Sequence, residues 1–286
     1  MVKHWDQRFS TPEYNEEVKV FKSGVPISER ANREVTRELE VPLVNWIEKE
    51  VKLTDDPEIF DDRYAGCRTK MNEIIPKILK NENAFNSLFA EEWKKAIDHW
   101  TKIKPTLSKL PKGFRDEHGT ALVAYTGPLY SDFNKATRDV GKSVQNYKNK
   151  FQFKAMHYYL TIAIQKLYNK SKNVVYRGVK DIKFIPSESR GVIRFGQFTS
   201  SSLDEAVAKG YGKSSFFTMQ TNLGVDLQRF SFSKWQKEVL IPGYELFKVA
   251  SFDRQNHHFK LISKGQTKSR FNCAYWKKMN ETLYYE

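Results

Sequence analysis

Three short stretches carry side chains able to do chemistry together: Arg177 in VVYRGV (174–179), the serines of FGQFTSSSL (195–203), and Gln236 and Glu238 in WQKEVLIPGYELF (235–247). A cation, a hydroxyl cluster and a carboxylate each stand beside an apolar run. Singly, each has an ordinary reading: a surface arginine, a serine-rich turn, a solvated strand edge. Together they can line one cleft. If the third stretch is extended throughout, Gln236 and Glu238 share one face about 7 Å apart, and Lys237 points away. Other chemistries find no support. KGYGKSS (209–215) has the end of a phosphate-binding loop, but the glycine required five residues before Gly212 is Val207, so it reads as a helix end and a turn. The sequence contains no GxGxxG, HExxH or GxSxG, and its six histidines are scattered.

Two kinds of element must position these residues. Apolar residues three and four apart predict helices over 69–82, 86–103 and 152–168, the last with a stripe of Met156, Leu160, Ala163 and Leu167 that reads as core. Pro105, Pro111 and Gly113 interrupt the helices, and the hydrophilic opening of about fifty residues reads as an appendage. From Asn173 onward come short runs rich in Val, Ile, Phe and Tyr: NVVYRGV, VIRFGQFTS, SSFFTMQT, KEVLIPG, YELFKVASF and HHFKLIS. Helices followed by strands predict an α+β protein, a helical N-terminal part before a mainly antiparallel, β-sandwich-like core. The expected division is an N-terminal extension over 1–54, then one domain over 55–286, helical over 55–172 and β-rich over 173–286.

Composition narrows the class further. With 286 residues, 40% hydrophobic and 14% aromatic, the chain can bury a real core. Its net charge of +14 is spread in short clusters such as KNKFQFK and KGQTKSR, without a zinc-finger, RNP or helix-turn-helix signature, so a solvated basic surface is favoured over a nucleic-acid site. No run of 18 apolar residues is present, and the opening MVKHWDQRFSTPEYNEEVK lacks the apolar centre of a signal peptide, which leaves an intracellular protein or a mature form. Cys67 and Cys273 have no metal spacing and read as two buried thiols or one long-range disulfide.

The ordered stretches FDDRYAGC (60–67), GFRDEHGTALVAYTG (113–127), FKAMHYYLTIAIQKL (153–167), YRG (176–178), FGQFTSSSL, EVLIPGYELFKV (238–249) and FNCAY (271–275) resemble the arginine-specific mono-ADP-ribosyltransferases of the vertebrate ectoenzyme type. Those enzymes use an Arg…Ser…Glu-x-Glu signature, and the resemblance runs from about residue 55 to about residue 275. It implies NAD+ as a substrate, with no permanently bound cofactor and no metal. NAD+ already carries a cationic nicotinamide leaving group, so cleavage at the ribose needs stabilisation of an oxocarbenium-like centre more than acid catalysis. By resemblance Glu238 hydrogen-bonds the nicotinamide ribose, Ser200 holds Glu238, and Arg177 binds near the phosphates. Gly178 lets the backbone approach the nicotinamide amide. Phe195 or Phe198 stacks on the nicotinamide ring, and Asn134 in YSDFNKATR meets the adenosine side.

The chain departs from that pattern in two places. The first carboxylate of Glu-x-Glu is Gln236, and an amide cannot accept a proton usefully near neutral pH, so hydrolysis of NAD+ or a non-arginine acceptor is expected. Cys67 and Cys273 stand where the resemblance places a long-range disulfide, while Asn173 and Asn222 occupy the places of a second, lost pair. A secreted or cell-surface monomer is the expected state. The end at LYYE lacks the apolar tail of a lipid anchor, removed or never present, and Asn169-Lys-Ser and Asn280-Glu-Thr are glycosylation sequons if the chain is secreted. The alternative function is a catalytically silent relative that binds a partner through its basic surface. Retention of Arg177, Ser200 and Glu238 favours the enzyme.

Overall fold

The computed structural model describes residues 49–169, 173–187 and 191–277. The expected extension up to residue 48, and the sequon at Asn280, lie outside them. The described chain opens with strand β1 (Lys49–Leu53) and continues through helices α1 (Arg68–Phe85), α2 (Ser87–Ile103), α3 (Asp116–Thr126), α4 (Tyr130–Asp139), α5 (Val144–Lys150) and α6 (Lys154–Leu167). Then follow β2 (Asn173–Val179), β3 (Ile182–Pro186), β4 (Val192–Ile193), β5 (Thr199–Ser202), helix α7 (Glu205–Lys209), β6 (Ser215–Thr221), β7 (Val225–Asp226), β8 (Glu238–Ile241), β9 (Glu245–Asp253) and β10 (His258–Thr267).

The three predicted helices are α1, α2 and α6. Asn86 separates the first two because its side chain accepts from Phe89 N at 3.0 Å and so caps α2. The stripe of α6 is core: Met156, Leu160, Ala163 and Leu167 are all buried. Helix α3 escaped the periodicity reading because every residue from His118 to Thr126 is buried, which erases the polar face that a stripe needs.

Eight strands form one sheet in the order β4-β9-β10-β6-β2-β5-β8-β7, antiparallel at every junction except β10 with β6, and β1 pairs with β3 in a separate parallel ladder. The run VIRFGQFTS is not one strand. It bends at Gly196 (φ +73°), where a Cβ would fall 2.6 Å from Pro57 Cγ, and it yields β4 and β5 on either side. Along β8 the alternation of the strand feeds two cores: Leu240 joins the helical core, while Val239 and Ile241 join Phe217, Phe247 and Phe259 between the sheet's strands.

The FDDRYAGC stretch ties the two ends of the domain together. Buried Asp61 pairs with the fully buried Arg194 and accepts from the amides of Arg270 and Phe271. Burial raises its carboxyl to about 6 against the opposing pull of Arg194. Asp62 accepts from the amides of Tyr64, Cys273 and Ala274 at 2.7, 2.8 and 2.7 Å. Asp62→Ala would strand three backbone donors, two of them fully buried, and a loss of about 3 kcal/mol or more is expected. Urea unfolding of the two proteins measures it; a change within the error of the method would show that the C-terminal segment holds without this carboxylate.

Candidate active site

Strand register determines which signature residues meet. Ser202 pairs with Tyr176 on one side and Glu238 on the other, and Ser200 pairs with Leu240. Opposed residues in an antiparallel ladder project to the same face, so Tyr176, Ser202 and Glu238 form one row and Ser200 lies diagonal to Glu238. Ser200, Ser202 and Glu238 are 3%, 0% and 2% exposed. The serine directly opposite the carboxylate is therefore Ser202. Its hydroxyl donates to Gln236 O at 2.7 Å and accepts from Asp204 N at 3.0 Å, which ties the second motif to the third.

Gln236 reaches this place by a different backbone from the extended one expected. It ends a 3-10 turn over Lys234–Gln236, Lys237 is left-handed with φ 45°, and the strand begins only at Glu238. A tight turn takes the place of strand alternation, so the spacing of about 7 Å drawn from an extended chain does not apply. Lys237 does point away: it is exposed, and its Nζ lies 3.0 Å from Asp204 Oδ2, holding that carboxyl below its ordinary range. Gln236 is fully buried. Its Nε2 donates to Tyr211 Oη at 2.8 Å, and its Oε1 has no partner.

The other signature residues fall elsewhere. Next to Tyr176 in the strand, Arg177 leaves the opposite face from Glu238, and its Nη1 donates to Ser200 O at 2.9 Å. It borders a cavity of about 70 Å³ with Phe195, Gln197 and Thr199, closed by Leu53 and Pro57 from the N-terminal segment. The missing side chain of Gly178 makes room for protein rather than for open space: a Cβ there would lie 2.3 Å from Ala208 O and 2.5 Å from Gly212 O. Phe195 packs on Phe217 and Phe247. Phe198 is 4% exposed in the helical core against Tyr125, Phe133 and His157, so in this conformation its ring has no free face for a nicotinamide. Asn134 is 1% exposed and donates to Tyr125 Oη at 3.1 Å and toward Phe198 O at 3.5 Å. Buried beneath the FGQFT turn, it supports that turn through Nδ2, and its Oδ1 has no hydrogen-bond partner.

Tyr211 is the site residue that the motifs did not point to. The KGYGKSS stretch is indeed a helix end and a turn, with α7 closing at Lys209. That turn lies on β2, since a Cβ at Gly212 would meet Lys180 N at 2.3 Å, and Tyr211 is carried with it against Gln236. A lone tyrosine between two glycines was its only mark in the sequence.

The cysteines form a disulfide, Cys67 to Cys273, across 206 residues. Asn173 pairs with Thr221 at the end of the β2–β6 ladder, next to Asn222.

Comparison with known proteins supplies the family. A family model described as NAD:arginine ADP-ribosyltransferase matches residues 55–269. Ecto-ADP-ribosyltransferase 5 of Bos taurus is 41% identical over 230 residues, covering 77% of this chain and 72% of its own. T-cell ecto-ADP-ribosyltransferase 2 of Rattus norvegicus is 44% identical over 223 residues, covering 77% and 78%. The crystal structure of a mutant of the eukaryotic mono-ADP-ribosyltransferase ART2.2 with NADH superposes with a TM-score of 0.72 at 42% identity, over 79% of this chain and 99% of that one. Fold and relatives define an NAD+-dependent mono-ADP-ribosyltransferase. The chain belongs to the NAD:arginine ADP-ribosyltransferase family.

Proposed function

We propose that this transferase passes ADP-ribose from NAD+ mainly to water or to a protein side chain other than arginine, so that NAD+ glycohydrolase activity accompanies transfer. The observation that carries the reading is a buried amide, Gln236, two residues before the buried carboxylate Glu238, where the arginine-specific signature has two carboxylates. In the reaction the bond from ribose C1′ to the nicotinamide nitrogen breaks, and nicotinamide leaves neutral with the bonding pair. Glu238 accepts from a hydroxyl of the nicotinamide ribose and stabilises the positive charge that develops there. Ser200 and Ser202 hold the strand and turn around it. Arg177, from the opposite face of the sheet, fixes Ser200 through its carbonyl. Gln236 meets the incoming group, which loses a proton to solvent after attack.

Residues 55–286 are assigned as the NAD-binding catalytic domain and 1–54 as an appendage, of which Lys49–Leu53 pairs with β3. A secreted or cell-surface location is supported by the disulfide and by relatives named as ecto-enzymes. No described helix is long and apolar enough to cross a membrane.

The test is the ratio of ADP-ribosyl-arginine to free ADP-ribose formed from labelled NAD+ with free arginine present. Wild type is expected to give mostly free ADP-ribose. Gln236→Glu supplies a carboxylate that can pair with a guanidinium and help deprotonate it, so the ratio is expected to rise about tenfold or more. An unchanged ratio, or efficient transfer to arginine by wild type, would overturn the role given to Gln236 and leave the family standing.

A further inference from the structure

We propose that Tyr211 is a positioning residue for the attacking group: its hydroxyl holds one end of the Gln236 amide, leaving Oε1 as the acceptor for the O–H of a water molecule. The inference rests on the functional reading above. Three observations lead to it. Gln236 is fully buried, and its Nε2 is spent on Tyr211 Oη at 2.8 Å while Oε1 has no partner. Buried polar atoms are nearly always satisfied, so an unsatisfied carbonyl oxygen two residues before Glu238 is open to a donor that arrives with the reaction. A neutral carbonyl oxygen takes an O–H or N–H but no proton, which suits water more than a guanidinium that must be deprotonated.

Tyr211 is itself fixed from the other side. The turn that bears it lies against Gly178 and Lys180, where any Cβ at Gly178 or Gly212 would clash with backbone. The phenol therefore links the Arg-Gly strand to the Gln-x-Glu turn. Ser202 performs the matching task on the backbone, since its hydroxyl binds Gln236 O. Main chain and side chain of Gln236 are each held by one hydroxyl, and only Oε1 is left for a substrate. Without the phenol the amide can rotate about its last torsion and present Nε2, a donor, where an acceptor is required.

Tyr211→Phe keeps the ring and removes only the hydroxyl. Its kcat for NAD+ hydrolysis is expected to fall about tenfold, as for a displaced positioning contact. KM for NAD+, affinity for a non-hydrolysable NAD+ analogue, and the thermal midpoint should stay at wild-type values. In a Gln236→Ala background the same change should have no further effect, because the two residues act as one unit. Tyr211→His, which retains an acceptor on an aromatic ring, should recover part of the rate, and it takes the place of the Phe variant in the cycle if that variant does not fold. Additive losses, a weakened analogue affinity, or an unaltered rate in an active wild type would each overturn the proposal alone. A wild type that consumes no NAD+ would overturn the functional reading and this proposal with it.

Discussion

Glu238→Gln is expected to give a folded protein whose NAD+ consumption falls more than a hundredfold. The substitution keeps the shape and removes the charge. A buried carboxylate aimed at the ribose interacts with the transition state far more strongly than with the ground state, because positive charge appears on the sugar only as nicotinamide departs. Loss of that interaction in a dry site is worth about 3 kcal/mol or more in the barrier. The position supports the argument: Glu238 is 2% exposed, opens strand β8, and has Ser202 directly across the ladder. Stability should not suffer, since a neutral amide is cheaper to bury than a carboxylate. Both NAD+ consumption and thermal midpoint are measured on the same preparation. A normally folded variant that consumes NAD+ at the wild-type rate would remove Glu238 from the mechanism.

The fold was largely legible because its signals are local. Periodicity marked α1, α2 and α6, and runs of β-branched and aromatic residues marked β2, β6, β9 and β10 close to their bounds. What was not legible depends on contacts distant in sequence. Helix α3 has no polar face to show. The turn before Glu238 is set by Lys237 in a left-handed conformation and by Ser202 bonding Gln236 O, neither of which a pattern of apolar and polar residues encodes. The signature triad was readable as a set, but not its geometry. Register between β2 and β5 puts Arg177 on the opposite face from Glu238, and only a known pairing reveals that. Asn134 and Phe198, matched to ligand contacts by resemblance, also have a packing role that no local pattern showed: both are buried, with Asn134 directed at the carbonyl of Phe198.

Removal of the Cys67–Cys273 bond is expected to cause the largest loss of stability of any single change in the domain. The bond closes a loop of 206 residues, joining the start of α1 to the C-terminal segment. On the chain-entropy account, cutting so long a loop frees the unfolded chain by about 5 kcal/mol, an upper-end figure. The native state offers partial compensation, since Asp61 and Asp62 bind the same C-terminal segment through the amides of Arg270, Phe271, Cys273 and Ala274. These bonds hold the segment in the folded protein but place no constraint on the unfolded one, so the variant should fold and then unfold earlier. Cys67→Ser with Cys273→Ser is compared with wild type in urea without reductant. The midpoint is expected to fall steeply while NAD+ turnover at low temperature is kept, because the bridge joins α1 to the C-terminal segment and includes no residue of the row of Tyr176, Ser202 and Glu238. Equal midpoints would mean that the carboxylate clamp alone fixes the C-terminal segment and that the unfolded chain is already compact enough to make the long loop inexpensive to close.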